Sequence, residues 1–155
     1  MSYHFRNINK DDFNHCTENL VTAYNGEPWN NTWTKKEALR RIEATMSGFN
    51  SRGYFVEKEE QIIAICLGRI DYYYDNWSQF CVDEFHVTPN QQGKGIGKKL
   101  LKFTSEMLQK EDVNQIFLIT GGEQAAIFYQ KSGFLKLEDG TAMAYDLKKK
   151  EFSCS

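Results

Sequence analysis

The sequence predicts a mixed α/β domain, and three of its patterns carry that prediction. Strand-like runs alternate with helical stretches along the chain. One run, Ile62-Ile63-Ala64-Ile65-Cys66-Leu67-Gly68, is almost continuously apolar, as a strand covered on both faces should be. The turn Gln92-Gly93-Lys94-Gly95-Ile96-Gly97-Lys98-Lys99 joins a strand-like run to an apolar-periodic helix. At 155 residues the chain reads as one domain over 1–155, and that length can bury roughly 70% of its unfolded surface.

Residues 3–8 alternate polar and apolar and predict a first strand. Asp11 or Asp12 can cap the helix that follows, with Phe13, Cys16, Leu20 and Tyr24 at helical spacing up to Asn25-Gly26. The loop Glu27-Pro28-Trp29-Asn30-Asn31-Thr32-Trp33 comes next. Thr34-Lys35-Lys36-Glu37 has the form of a capping box, and Leu39, Ile42, Met46 and Phe49 mark one face of the second helix. Residues 53–58 and 61–71 are β-rich runs joined by Glu59-Glu60, which predicts a hairpin. A third run covers 80–87 and leads through Pro89-Asn90 into the glycine turn. Ile96, Leu100, Phe103 and Met107 then recur at three- and four-residue steps on a helix. Ile116-Phe117-Leu118-Ile119 reads as a short buried strand, and residues 123–131 as a helix closed by Gly133. Residues 134–137 and 142–147 predict two last strands turning at Asp139-Gly140.

Composition excludes several functions. A net charge of −2 offers no broad basic face for nucleic acid or an anionic membrane. Cys16, Cys66, Cys81 and Cys154 are widely and irregularly spaced, with no Cys-x-x-Cys pair and no grouped histidine, so no metal site is expected and a reduced chain is. The N-terminus lacks an apolar signal core. No run of about 18 apolar residues occurs. The expected location is cytoplasmic.

The glycine turn leaves backbone N–H groups unshielded at a helix N-terminus, where an anion, above all a phosphate, can be held. It is not a Walker loop, because Gly97-Lys98 is followed by Lys99 rather than a hydroxyl residue. A dinucleotide fingerprint begun at Gly93 or Gly95 would need its last glycine where Lys98 or Leu100 stands. What remains is Gln-x-x-Gly-x-Gly at Gln92, Gly95 and Gly97. This resembles the acetyl-CoA pyrophosphate loop of the GCN5-related N-acetyltransferases (GNAT). Ala125-Ala126-Ile127-Phe128-Tyr129-Gln130-Lys131-Ser132-Gly133-Phe134 resembles a second segment of that family, in the right order and with a strand between. The specific resemblance covers roughly Cys81 to Leu137. It implies a mixed, mostly antiparallel central sheet flanked by helices, the GNAT-type acyl-CoA N-acyltransferase fold. It also implies acetyl-CoA as acetyl donor, held by Gln92, Gly93, Lys94, Gly95, Ile96, Gly97 and Lys98, with Lys99 adding charge at the rim. A side chain at Gly95 or Gly97 would block the approach of the phosphates. Where many relatives carry an asparagine before the last long helix, this chain has Gly122, leaving that cofactor contact to backbone or Gln124.

Acetyl transfer to an amine requires that the amine lose a proton, the carbonyl be polarised and the leaving thiolate be stabilised. The resemblance assigns the last role to Tyr129 and the second to backbone N–H around Phe85, His86 and Val87. For the base, Asp83 and Glu84 are neighbours on a strand and leave opposite faces, while His86 shares the face of Glu84. Glu84 is the expected base, Asp83 the fallback. The acceptor side is expected from Glu27, Trp29, Trp33, Tyr72, Tyr74 and Asp75, since an acidic and aromatic wall suits a cationic amine. The expected function is N-acetylation of a primary amine on a small cationic molecule by direct attack in a ternary complex. A protein or peptide acceptor, a non-catalytic acyl-CoA sensor and a homodimer all remain open at this level.

Overall fold

The alternation of buried strand and amphipathic helix becomes a five-stranded sheet with helices on both faces. The computed structural model describes residues 2–148. These fall into two compact units, Met1–Ile119 and Thr120–Ser155, taken here one at a time.

In the first unit, β1 (His4–Asn7) is followed by a 3-10 turn (Lys10–Asp12), α1 (Phe13–Asn25) and α2 (Lys35–Met46). Then come β2 (Ser51–Lys58), β3 (Gln61–Tyr72), β4 (Ser78–Val87), a second 3-10 turn (Pro89–Gln91), α3 (Ile96–Gln109) and β5 (Gln115–Phe117). The strands lie in the order β1-β2-β3-β4-β5, with every pair antiparallel except β4 and β5. The mixed, mostly antiparallel sheet expected from the sequence is the one observed.

Local signals account for most of the boundaries. Thr34 accepts the Glu37 N–H at 3.1 Å and Glu37 accepts the Thr34 N–H at 2.9 Å, which is the expected capping box at the start of α2. The start of α1 differs from expectation. Asn9 Oδ1 accepts the Asp11 N–H and Asp12 Oδ2 accepts the Asn9 N–H, both at 2.9 Å. Asn9 is thus the cap of a 3-10 lead-in, and Asp12 is its reciprocal partner. Glu59 and Glu60 both have positive φ, 52° and 63°, the geometry whose twist matches a two-residue hairpin. On α2 the buried residues are Ala38, Ile42 and Thr45, whereas Phe49 lies past the helix and is exposed.

β3 is covered on both faces. Ala64, Cys66 and Ile70 join a core with Ile96, Leu100 and Leu108 of α3, while Ile65 and Leu67 join a second core with Cys16, Leu20, Ala38 and Ile42 of α1 and α2. β4 meets β3 with a bulge: Leu67 faces Glu84 but Gly68 faces Val82, leaving Asp83 as the extra residue. The bulge shifts the side-chain phase by one. Phe80 and Val82 before it, and Phe85 and Val87 after it, all pack on the α3 core. Without the shift, Glu84 and His86 would share that apolar face with Phe80 and Val82. Gly68 permits the close approach. A Cβ there would stand 2.7 Å from the Phe80 ring and closer still to the Cys81 carbonyl oxygen.

In the second unit, α4 (Glu123–Lys131) ends at Gly133, whose φ of 101° closes the helix, with the Phe134 N–H donating to the Tyr129 carbonyl at 2.9 Å. The two last strands expected at 134–137 and 142–147 are not formed; among the described residues that stretch has no strand. A strand needs a ladder partner and a face to bury. Leu135, Met143 and Leu147, the apolar positions of the alternation, remain 86%, 90% and 85% exposed.

Replacing Gly68 by Ala should destabilise the protein by about 1–3 kcal/mol, because the β4 backbone must move to admit the methyl group. Denaturant unfolding would show this as a lower midpoint. An unchanged midpoint would contradict the tight approach at the bulge.

Candidate active site

Just past the bulge, β4 turns Glu84 toward α1 and α2 and buries it, with 3% of the residue exposed. Three side chains donate to its carboxylate. Arg41 Nε of α2 donates to Oε1 at 2.8 Å, the Tyr24 hydroxyl of α1 donates to Oε2 at 2.8 Å, and His86 Nε2 lies 2.6 Å from Oε2. Arg41 also donates to the Asp83 carbonyl at 3.3 Å, gripping the bulge itself. Burial alone would raise the Glu84 pKa. The partners His86, Arg41 and Tyr24 outweigh it and hold the carboxyl below its ordinary range.

An ionised carboxylate accepts and cannot donate, so His86 Nε2 must carry the proton in this contact. When the ring is in its neutral form its lone pair is then on Nδ1, which makes no hydrogen bond among the described residues. This is a carboxylate-oriented imidazole, an arrangement suited to accepting a proton. Asp83, the other acid of the pair, is taken up by Arg69 at 2.9 and 3.2 Å.

Tyr24 links this cluster to the expected acceptor loop. Its ring is stacked on Trp33 at 5.2 Å and 11°, edge-on to Trp29 at 6.2 Å and edge-on to His86 at 4.7 Å. Asn25 holds the loop back, its amide oxygen accepting the Trp33 N–H at 2.8 Å and its amide nitrogen donating to the Trp33 carbonyl at 3.0 Å. Asn30, Asn31, Thr32, Trp33 and Glu37 line a groove of about 440 Å³ beside it. The Glu37 carboxyl there is held below its usual range, first by the Thr34 N–H and then by its hydroxyl. Glu27 lies exposed in the same loop.

Tyr72, Tyr74 and Asp75 are not part of this assembly. They sit at the β3–β4 turn, where Asp75 has a φ of 61°. Ser78 and Glu84 stand six positions apart on β4, roughly 20 Å of strand. Tyr72 stacks instead on Phe49 at 6.1 Å. The wall of acids and aromatics expected as one feature is therefore two, and only Glu27, Trp29 and Trp33 lie on the loop that packs against Tyr24.

At the other end of β4, the Gln92 side chain donates to the Val87 carbonyl at 3.1 Å. Gly93 and Gly95 have φ of 78° and 80°, and Gly95 is the N-cap of α3. A Cβ at either would meet no atom within 4 Å, so the demand for glycine comes from backbone conformation. The first helical bond runs from the Lys99 N–H to the Gly95 carbonyl at 3.1 Å, so the N–H groups of Ile96, Gly97 and Lys98 precede it. Lys94 and Lys98 are exposed beside them. These residues fit an anionic group of the pyrophosphate kind. β4 and β5 pair only over residues 79–81 and 115–117, so Phe85, His86 and Val87 lie beyond the last registered pair between the two strands.

In the second unit, Tyr129 lies on α4 with its ring edge-on to Phe128 at 5.2 Å and edge-on to Phe134 at 5.3 Å, and Gln124 is in the first turn. Among the described residues the thiols are not reactive candidates. Burial pushes Cys16 and Cys66 up to about 12 and, together with the hydrogen bond to Asp71, Cys81 up to about 11. Among the described residues no group of three or more His, Cys, Asp or Glu could hold a metal ion, and no helix is long and apolar enough to cross a membrane.

Sequence reasoning missed Tyr24 and Arg41. Arg41 had a signal, since it falls three residues after Ala38 and four before Thr45 on the inward stripe of α2, where a cation needs a partner.

Known proteins share this fold. The family model described as "Acetyltransferase (GNAT) domain" matches residues 50–136. A search of curated proteins finds no match. Among solved structures, a GNAT family acetyltransferase from Staphylococcus aureus superposes with TM-score 0.73 at 19% identity, covering 94% of this chain and 100% of that one. An aminoglycoside acetyltransferase from an uncultured soil metagenomic sample, in complex with sisomicin, gives 0.76 at 16% identity over 94% and 97%. AAC(6')-Iy, in complex with the bisubstrate analog CoA-S-monomethyl-acetylneamine, gives 0.74 at 16% identity over 94% and 99%. At these identities the three structures establish the fold alone.

Replacing Glu84 by Gln should lower stability at pH 7 by about 1–3 kcal/mol, since buried donors lose an ionised partner. The folded pKa is lowered, so this stabilisation is present above the unfolded value of about 4.3 and is lost as pH falls through the folded value. Unfolding curves of the two proteins should therefore converge in acid. A gap that fails to narrow as the pH falls below that unfolded value would contradict an ionised Glu84.

Proposed function

Because the chain belongs to the GNAT acetyltransferase family, we propose that it transfers an acetyl group from acetyl-CoA to a primary amine of a small cationic molecule, by direct attack in a ternary complex. The observation that carries the reading is His86, oriented by a buried ionised Glu84 and set against the tyrosine on which Trp29 and Trp33 pack. The family match runs from 50 to 136 across the boundary of the two units, which supports one N-acetyltransferase domain.

Acetyl-CoA supplies the activated acyl thioester when bound. Gln92, Gly93, Lys94, Gly95, Ile96, Gly97 and Lys98 would hold its pyrophosphate, with Gln124 a further contact. An amine arrives mostly as ammonium and must be deprotonated before it can attack. His86 Nδ1 takes that proton, and the Glu84 anion stabilises the imidazolium formed. Glu84 itself, engaged by three donors and held in its ionised form, is a positioning residue in this scheme. Backbone N–H of Phe85, His86 and Val87 polarises the carbonyl, and Tyr129 gives its phenolic proton to the leaving thiolate. Glu27 and the faces of Trp29 and Trp33 attract the cationic acceptor. Two similar folds belong to proteins solved with sisomicin and with an acetylneamine-bearing CoA analog, which supports an amine of that general kind.

A thiol-release screen with acetyl-CoA and a panel of aminoglycosides, polyamines, amino acids and peptides tests the reading. CoA release with a small polyamine or aminosugar is expected. Release with no amine at all, despite acetyl-CoA binding, would replace the enzyme by a sensor, and release with peptides alone would move the acceptor. With an active amine, His86→Gln should lower kcat/KM by about 100-fold and flatten its acid limb. Tyr129→Phe should lower kcat with KM for acetyl-CoA little changed, and a change confined to KM would contradict the role of the phenol.

A further inference from the structure

Arg41 and His86 meet opposite oxygens of one carboxylate. Arg41 Nε donates to Glu84 Oε1 at 2.8 Å, while His86 Nε2 lies 2.6 Å from Oε2, where the Tyr24 hydroxyl also donates at 2.8 Å. Each element around the pair brings its own groups. Arg41 of α2 carries a full positive charge, and Tyr24 of α1 donates through a neutral hydroxyl. Asp83 of β4 is closed off in a pair with Arg69 of β3 at 2.9 Å. The β3 residues opposite Glu84 and His86 are the apolar Leu67 and Ile65. The Glu84 and His86 side chains are 2% and 10% exposed, so solvent ions screen their charges little.

Charge balance defines what Arg41 contributes. With His86 neutral, the Glu84 anion and the Arg41 cation cancel, and a proton on His86 leaves a net positive charge in a largely closed site. Without the Arg41 charge the balance reverses, because the carboxylate would then be matched only by an imidazolium. An imidazole that already carries the proton cannot take one from an amine. We propose that Arg41 is a positioning residue for the acetyl transfer, acting through Glu84. Its charge on one oxygen leaves the carboxylate able to orient His86 but too well compensated to hold it as imidazolium, so Nδ1 stays open to the proton of the amine. The inference rests on His86 being the base of the proposed reaction. In that step the ammonium N–H bond breaks and the proton moves to Nδ1. The electron pair stays on the amine nitrogen and attacks the acyl carbon. A second contact, from Arg41 to the Asp83 carbonyl at 3.3 Å, anchors the guanidinium on the bulge and keeps its charge at the carboxylate.

An NMR titration of the His86 ring in 15N-labelled protein, its signal identified by its loss in H86Q, tests this without turnover. R41Q should move the midpoint up by about one pH unit, while R41K, which keeps the charge, should titrate like the unaltered protein. R41Q strands a buried carboxylate with one donor fewer, so E84Q and R41Q/E84Q repeat the comparison with no carboxylate to strand. The double variant should titrate above E84Q, because the imidazolium is then relieved of a like charge. An unmoved midpoint in R41Q, an R41K midpoint that moves as far as that of R41Q, or equal midpoints in E84Q and the double variant would overturn the role of the charge. With an active amine, R41Q should lower kcat/KM about 10-fold on the acid limb and leave the plateau above it in place. An equal loss at every pH would mean a structural role and overturn the inference. Unmoved midpoints in an active enzyme overturn this inference alone. Moved midpoints without CoA release from any amine overturn the reading of His86 as a base, and this role with it.

Discussion

The buried carboxylate of Glu84 is the interaction on which the arrangement of the first unit's candidate site depends. A charge removed from water is tolerable only where donors replace its hydration. Here the donors come from three elements: Tyr24 from α1, Arg41 from α2 and His86 from β4 itself. The same contacts that satisfy the charge pin both helices to the centre of the sheet. They also leave the imidazole with one nitrogen committed and the other available. Stability and the proposed chemistry share one group of atoms, so altering this carboxylate for one purpose affects the other.

Glu84 reaches that position because β4 is irregular. A regular strand would turn residues 80, 82, 84 and 86 to one face. The extra residue at Asp83 lets Phe80 and Val82 share the α3 core with Phe85 and Val87, while Glu84 and His86 turn to α1 and α2. Gly68 permits this from the neighbouring strand, and Arg41 secures it through the Asp83 carbonyl. The strand thus packs as core and presents polar groups as a site within ten residues.

What the sequence made legible was what short-range chemistry decides. The Thr34–Glu37 capping box, the Glu59-Glu60 hairpin, the α3 face and the glycine turn each depend on residues a few positions apart, and each was formed as expected. The shared face of Glu84 and His86 was legible too. The bulge was not, because one extra residue is decided by the partner strand. Arg41 and Tyr24 were missed as partners of Glu84 because they lie 43 and 60 positions away. Tyr72, Tyr74 and Asp75 were grouped with the loop aromatics by composition alone, and the length of β4 keeps them apart. The alternation at 134–147 reads as strand only where a partner edge exists to meet it.

The most direct test of the account is the tautomer of His86, read from the ring-nitrogen shifts of the 15N-labelled protein by NMR at a pH where the ring is neutral. An ionised, buried Glu84 that only accepts hydrogen bonds requires a protonated Nε2 and an unprotonated Nδ1. The signals should therefore show Nε2–H, and Glu84→Gln should weaken that preference. A proton on Nδ1 in the unaltered protein would contradict the account, because Nε2 would then face a carboxyl that carries its own proton, and the charge at the centre of the site would not exist.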